Sequence, residues 1–138
     1  MAKKNYKALL NNITTLIFDI DGVLTDSSLL VTSDGELLRK MHTRDGYALR
    51  AAVDSGLTVC IISGGSNEGV RSRLKKLGIT DIYLGTHNKV EQFEEYLDIY
   101  NIKAENVMFM GDDIPDYTVM KRVGLPCCPQ DSVQEIKA

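Results

Sequence analysis

Apolar residues recur along this chain in two rhythms, short unbroken runs and longer stretches in which they return every three or four positions. Residues 13–18 form a β-branched and apolar run of the kind that makes a strand buried on both faces. LTVCII at 57–62 and NVMFM at 106–110 have the same character, and DIYL at 81–84 is a shorter example. The intervening segments have helical period. Ala48, Leu49, Ala52 and Val53 share one face of a helix expected over about 45–55, with Gly56 just past its end. Val70, Leu74 and Leu77 point a second helix inward, and Gly78 stops it. Asn88 and Glu91 stand at capping-box spacing and open a third, whose inner stripe is Val90, Phe93, Leu97 and Tyr100. Pro115 suits the first position of a fourth helix running to about 123. An edge strand is expected at 125–128 and the start of a last helix at 131–138. Strand and helix alternate throughout, which predicts an α/β fold, Rossmann-like, with a mostly parallel sheet and helices on both faces.

One segment breaks the alternation. In DSSLLVTSDGELLRKM, two apolar runs flank Ser33-Asp34-Gly35-Glu36, and Asp-Gly between such runs predicts a β-hairpin over about 28–41. Its Leu29, Leu30, Val31, Leu37, Leu38 and Met41 are more apolar surface than a lone hairpin can bury, which points to an interface between subunits.

Composition narrows the class. A chain of 138 residues, 43% hydrophobic and 25% charged, is expected to form one domain with its own core, and it contains no repeat, linker or low-complexity stretch. A formal charge of -3 without a long basic run argues against nucleic acid as a partner. MAKKNYKALLNN lacks the apolar centre of a signal peptide, and no run approaches a membrane span. Cys60, Cys127 and Cys128 form neither a useful bridge nor a C-x-x-C zinc pattern, and read as reduced, buried residues of a cytoplasmic protein.

The candidate chemistry lies where the strands end. The first strand closes in Asp19 and Asp21, followed by Gly22. Asp and Gly are common turn residues, so D-x-D-G alone could be only a turn. Three later clusters, however, occupy the same side of the sheet. The second strand ends in Ser63-Gly64-Gly65, the loop after the third supplies Lys89, and the fourth runs into Gly111-Asp112-Asp113-Ile114-Pro115-Asp116. In an open α/β sheet that carboxyl edge is the ligand crevice. Carboxylates converging there repel one another unless a cation is present, and an all-oxygen donor set is the preference of Mg²⁺. Asp19 and Asp112 are the expected side-chain ligands, with a main-chain carbonyl near Asp21. Lys89, in a first helical turn, opposes the helix dipole, so an anion is expected beside it; the bland alternative is a solvated lysine. Ser63 could likewise be a turn or capping residue, but its hydroxyl and the N–H groups at Gly64 and Gly65 would suit phosphoryl oxygens. The whole set fits a dianionic phosphate.

DIDGVLTD, the Ser63 strand end, Lys89 and GDDIPD resemble, in order and approximate spacing, the four motifs of the haloacid dehalogenase superfamily of phosphohydrolases. The resemblance covers nearly the whole chain and implies specific roles. Asp19 would be the nucleophile that becomes an aspartyl phosphate, and Asp21 the general acid and then base. Ser63 and Lys89 would hold phosphoryl oxygens, and Mg²⁺ would be bound at Asp19, Asp21 and Asp112, with Asp113 and Asp116 supporting the metal shell or the substrate end. With only a hairpin after the first motif, the chain is similar to the branch without a separate cap domain. Members of that branch assemble, typically as tetramers, so that a neighbouring subunit closes each site. GVLTD, TRDGYALR and GDDIPD further resemble phosphatases of an eight-carbon keto-deoxy sugar-acid phosphate that serve lipopolysaccharide biosynthesis. That resemblance implies His42, Thr43, Arg44, Asp45, Gly46, Arg50, Gly64 and Arg73 as substrate-binding candidates, because an arginine fork suits a sugar carboxylate. A solvated helix face is the other reading of Arg50 and Arg73. Two alternatives stand beside this substrate: a phosphatase for a nine-carbon keto-deoxy sugar 9-phosphate, and a receiver-like module that accepts a phosphoryl group on Asp. The sequence departs from the family pattern twice. Many relatives carry T-G-R where this chain has Ser63-Gly64-Gly65, and the C-terminal tail expected to reach a neighbouring site is short or truncated at EIKA.

Overall fold

Alternate residues of the central strands face opposite layers, and this determines how the molecule is built. The protein is represented by a computed structural model that describes residues 6–129. Its elements are α1 (Tyr6–Leu10), β1 (Thr15–Phe18), β2 (Leu30–Val31), β3 (Leu37–Leu38), α2 (Thr43–Asp54), β4 (Thr58–Ile62), α3 (Glu68–Lys76), β5 (Asp81–Tyr83), α4 (Lys89–Tyr100), a 3-10 turn (Ala104–Asn106), β6 (Val107–Met110), α5 (Ile114–Met120) and β7 (Leu125–Cys127). Five strands form one sheet in the order β5-β4-β1-β6-β7, every neighbouring pair parallel. From β4, Cys60 and Ile62 pack with Ile17, Val107 and Phe109 beneath Phe93, Tyr96 and Leu97 of α4 and Val119 and Met120 of α5. Val59 and Ile61 face the other way, onto Leu49 of α2 and Val70 and Leu74 of α3. The period-2 rule of a strand thus lets one apolar run feed two cores, and the expected α/β sandwich with helices on both faces is the observed one.

The order of strands positions the site. After β1 the chain adds β4 and β5 on one side, then returns to place β6 and β7 on the other. The reversal falls at β1, and the crevice at such a reversal is where ligands bind in open α/β sheets. In the parallel register Phe18 pairs with both Ile61 and Met110, so β1, β4 and β6 finish nearly level. Asp19, Ser63 and Asp112 therefore emerge side by side, within two residues of their strand ends.

Local differences from the sequence pattern have physical causes. The helix α1 answers to no expectation from the apolar pattern. The helix α2 begins at Thr43 rather than 45, because the His42 side chain caps it by accepting the Arg44 N–H at 3.1 Å. Helix α5 stops at Met120, three residues early, where the chain turns toward the 3-10 turn: the Gly124 N–H donates to Ala104 O, and a Cβ at 124 would lie 1.9 Å from Glu105 O. In α4 the buried tyrosine is Tyr96; Tyr100 overhangs the sheet edge and donates its hydroxyl to Asp81 at 2.6 Å. The hairpin pairs Leu30 with Leu38 and Val31 with Leu37, yet each strand is two residues long and its leucines and valine are exposed. Met41 instead packs against the α2/α3 core. Of the cysteines, Cys60 is buried in the core, where burial pushes its thiol up, while Cys127 and Cys128 are half-buried and unbridged. Among the described residues no helix is long and apolar enough to cross a membrane. The helix expected at 131–138 lies outside the described residues.

Candidate active site

The first acid continues the strand that carries it. The Asp19 N–H donates to Met110 O at 3.1 Å, which holds the residue in line with β1 and β6. Its Oδ1 accepts the Ile20 N–H at 2.7 Å, and its Oδ2 accepts from Lys89 Nζ at 2.9 Å. Lys89 is the first residue of α4, whose amino end is fixed by Asn88 accepting the Glu91 N–H at 3.1 Å. The same ammonium donates to Asp116 Oδ1 at 2.6 Å. Asp116 lies in the first turn of α5, is fully buried, and receives the Asp112 N–H on its Oδ2 at 3.3 Å. A buried carboxylate is costly unless paired and hydrogen-bonded, and here both oxygens are engaged. The helix start therefore opposes its own dipole with Lys89 only because two carboxylates hold the ammonium in place.

Carboxylate oxygens of Asp19, Asp112 and Asp116 all lie within 4.8 Å of one another. The electrostatics register this crowding. Burial, and then the charge of Asp116, pushes the Asp19 carboxyl up to about 6 against the pull of Lys89. For Lys89, burial lowers the pKa, but the charges of Asp19 and Asp116 more than offset it and hold the ammonium above the usual lysine range. Hard oxygen donors at this spacing, with an excess of negative charge, fit a small divalent cation.

Ser63 closes β4, is buried, and accepts the Gly65 N–H on Oγ at 3.2 Å. That bond uses a lone pair, and the hydroxyl hydrogen is a donor beside it. Around these groups opens a cleft of about 830 Å³ whose walls include Asp19, Asp21, Ser63, Gly64, Lys89, Asp112 and Asp113. Asp113 also caps α5, accepting the Ile114 N–H at 2.7 Å, and Asp116 sits beneath the floor as the partner of Lys89.

The sequence pattern contains no signal for Arg39. It follows β3, and its guanidinium grips Asp21 with two bonds, Nε to Oδ1 at 2.8 Å and Nη2 to Oδ2 at 3.2 Å. The hydrogen bonds that it donates to Asp21 push the Arg39 guanidinium above even its ordinary range. The space beside Gly65, where the family resemblance leads one to expect an arginine, holds this guanidinium: a Cβ at 65 would lie 3.0 Å from Arg39 Nη2. Asn67 was also not anticipated; it caps α3 and donates its amide to Leu37 O at 2.9 Å, tying the hairpin to that helix. Both contacts join residues 18 or more positions apart, beyond the reach of periodicity.

Of the residues expected at the sugar-acid end, Gly64 lines this cleft, and the other seven lie outside its walls. His42, Thr43 and Asp45 border a second groove of about 570 Å³, shared with Asp26 and Lys40. Arg44 is exposed, Gly46 is buried where a Cβ would lie 2.7 Å from Arg73 Nη2, and Arg50 pairs with Asp54 at 3.3 Å on an exposed helix face. None of the seven lines the cleft around Asp19. The reason is architectural: they belong to the α2/α3 layer, whereas Lys89 and Asp116 begin helices of the opposite layer.

Compared with known proteins, residues 40–124 match the model of the haloacid dehalogenase-like hydrolase family. The chain is 41% identical over 121 residues to the 3-deoxy-D-manno-octulosonate 8-phosphate phosphatase KdsC of Escherichia coli K12, an alignment that covers 88% of this chain and 64% of that one. This chain thus spans just under two thirds of the length of that relative. Among solved structures it resembles the 3-deoxy-D-manno-octulosonate 8-phosphate phosphatase from Yersinia pestis, with a TM-score of 0.91 and 34% identity over 94% of this chain and 70% of that chain. It also resembles the enzyme of that name from Moraxella catarrhalis, solved in complex with magnesium ion, phosphate ion and KDO molecule, with a TM-score of 0.89 and 26% identity over 94% and 74% of the two chains.

Proposed function

The chain belongs to the haloacid dehalogenase-like hydrolases, and from that membership we propose that it is a magnesium-dependent phosphomonoesterase acting on 3-deoxy-D-manno-octulosonate 8-phosphate. The observation that carries the reaction class is the cluster at the carboxyl edge, three neighbouring carboxylates of which two share one ammonium, beside an open cleft. The identity of the sugar acid rests on the 41% likeness to the Escherichia coli enzyme. A receiver-type module belongs to a different family, and a nine-carbon sugar phosphate is the nearer competitor.

Asp19 and Asp112 would hold the magnesium ion together with the main-chain carbonyl of Asp21, supported by Asp116 from beneath and Asp113 from outside. Bound there, the cation would offset the repulsion between these carboxylates and a phosphate dianion and withdraw charge from a phosphoryl oxygen. Asp19 attacks phosphorus, and Lys89, 2.9 Å from its Oδ2, keeps the nucleophile ionised and holds a phosphoryl oxygen. The Ser63 hydroxyl and the Gly64 N–H hold the remaining oxygens. Asp21 gives a proton to the departing alcohol, then takes one from the water that cleaves the aspartyl phosphate. The exposed leucines and valine of the hairpin, with Leu30 67% and Val31 63% accessible, are the surface through which subunits would assemble as a tetramer, a neighbour closing each cleft. The enzyme would work in the cytoplasm.

Phosphate release should be measured across 3-deoxy-D-manno-octulosonate 8-phosphate, a nine-carbon keto-deoxy sugar 9-phosphate and simple sugar phosphates, with Mg²⁺ and with EDTA. The expected result is a kcat/KM at least tenfold higher for the eight-carbon acid than for any simple sugar phosphate, and loss of at least about a hundredfold on chelation. Preference for the nine-carbon ester would replace the substrate, and turnover indifferent to EDTA would remove the metal. Light scattering on the same preparation should give the mass of four chains; a monodisperse monomer with full activity would rule out shared sites.

A further inference from the structure

Among the described residues, Arg39 is the cation whose fork holds a carboxylate through two nitrogens. Its side chain is 8% exposed, and both nitrogens that face Asp21 are bonded to it, at 2.8 and 3.2 Å. An exposed ion pair would mean little, but a planar fork matched to a carboxylate in a nearly closed space fixes an orientation. The clamp is itself anchored: Arg39 Nη1 donates to Leu37 O at 3.3 Å, and Asn67 donates to the same carbonyl at 2.9 Å from the start of α3. On the other side, Gly65 makes the room, since even a Cβ there would press on Nη2. Asp21 and Gly65 line the cleft around Asp19, whereas Arg39 does not. The guanidinium therefore reaches Asp21 and Gly65 without itself lining the cleft.

We propose that Arg39 is a positioning residue, delivered by the hairpin, that holds the Asp21 carboxyl in the orientation from which it exchanges protons with the leaving oxygen. This inference rests on the reading of Asp21 as proton donor. A carboxylate has about four lone-pair directions, and the fork occupies two of them. The carboxyl itself lines the cleft. Asp21 is followed by a glycine and its own side chain is 40% exposed, so without the fork it would sample several rotamers. When Asp19 bonds to phosphorus, the bond from phosphorus to the alcohol oxygen breaks, its electron pair leaves on that oxygen, and the Asp21 proton neutralises it. An alkoxide needs that proton; p-nitrophenolate, a stable anion, hardly does.

Leaving-group dependence separates this role from a structural one. kcat/KM, which reports steps up to alcohol departure, should be measured for p-nitrophenyl phosphate and for the primary alkyl phosphate turned over best in the panel above. The proteins are the wild type, Asp21→Asn, Arg39→Ala, Arg39→Lys and the double variant Asp21→Asn/Arg39→Ala. Asp21→Asn should lose on the order of a hundredfold or more on the alkyl ester and less than about tenfold on the aryl ester. Arg39→Ala should show the same split in smaller measure, roughly thirtyfold against less than fivefold. Arg39→Lys keeps charge and stem but not the fork, and should retain part of the defect. Adding Arg39→Ala to Asp21→Asn should cost less than about twofold more, because the arginine acts through a group already removed. Equal losses on both esters in the Arg39 variants, or additive losses in the double variant, would overturn the inference while leaving Asp21 as the donor. No split in Asp21→Asn would remove the donor assignment and the inference with it. Circular dichroism checks folding, and if Arg39→Ala fails to fold, Arg39→Lys carries the comparison, with an alkyl-to-aryl split of at least fivefold expected.

Discussion

Asp19→Asn is expected to lower phosphate release by on the order of 10⁴-fold or more while leaving the fold in place. The amide has the shape of the carboxylate and keeps an oxygen for the Ile20 N–H, but it cannot form the aspartyl phosphate. The same variant tests the electrostatics. In the metal-free protein, burial and the charge of Asp116 raise the Asp19 carboxyl from about 3.8 to about 6. Between those pH values the folded chain holds a proton that the unfolded chain has lost, so stability falls as pH rises through that window. Above it the whole cost, on the order of 3 kcal/mol, is carried. Asparagine never ionises, so with EDTA present the stability of Asp19→Asn relative to the wild type should climb between pH 4 and 6 and then level. Urea denaturation at pH 4.5 and 7.5 measures this. A pH-independent difference would refute the picture of a strained acid cluster, and surviving turnover would remove Asp19 as nucleophile.

Lys89→Met should cost the cluster more stability than Asp19→Asn does. Methionine keeps most of the apolar stem but leaves Asp19 and the fully buried Asp116 facing each other without their shared ammonium. Removing one partner of a buried pair costs about 3–5 kcal/mol, because an uncompensated charge stays behind. Activity should fall by roughly a thousandfold or more, since the same ammonium is proposed to hold a phosphoryl oxygen. Two measurements check this: urea denaturation in EDTA, and equilibrium binding of inorganic phosphate with Mg²⁺ present. A variant within about 1 kcal/mol of the wild type that bound phosphate equally well would remove Lys89 both as the stabiliser of the acid cluster and as a phosphoryl ligand.

Much of the architecture was legible before any coordinates. The runs at β1, β4 and β6 announce buried parallel strands because each must feed two cores, and the capping signals at Asn88 and Pro115 are local chemistry that the helices obey. Asp19, Ser63 and Asp112 were recognisable because each closes such a run, and parallel strands in register bring their ends together. Side-chain pairing was not legible. Nothing in GDDIPD says that Asp116 rather than Asp113 turns inward to meet Lys89, since that depends on how α5 is rotated against α4. Nothing around position 39 says that its guanidinium will lie against Gly65 and Asp21, because the hairpin's approach is fixed by α3 through Asn67. His42, Arg44, Arg50 and Arg73, read in one dimension as site residues, do not line the cleft around Asp19.

What the sequence determined by itself is therefore the class of fold and the edge on which chemistry collects, because hydrophobic period and turn residues act over a few positions. What only the tertiary structure decided is which charges meet. Those meetings depend on distances between groups 18 to 70 residues apart, set by the packing of whole layers rather than by any neighbouring residue.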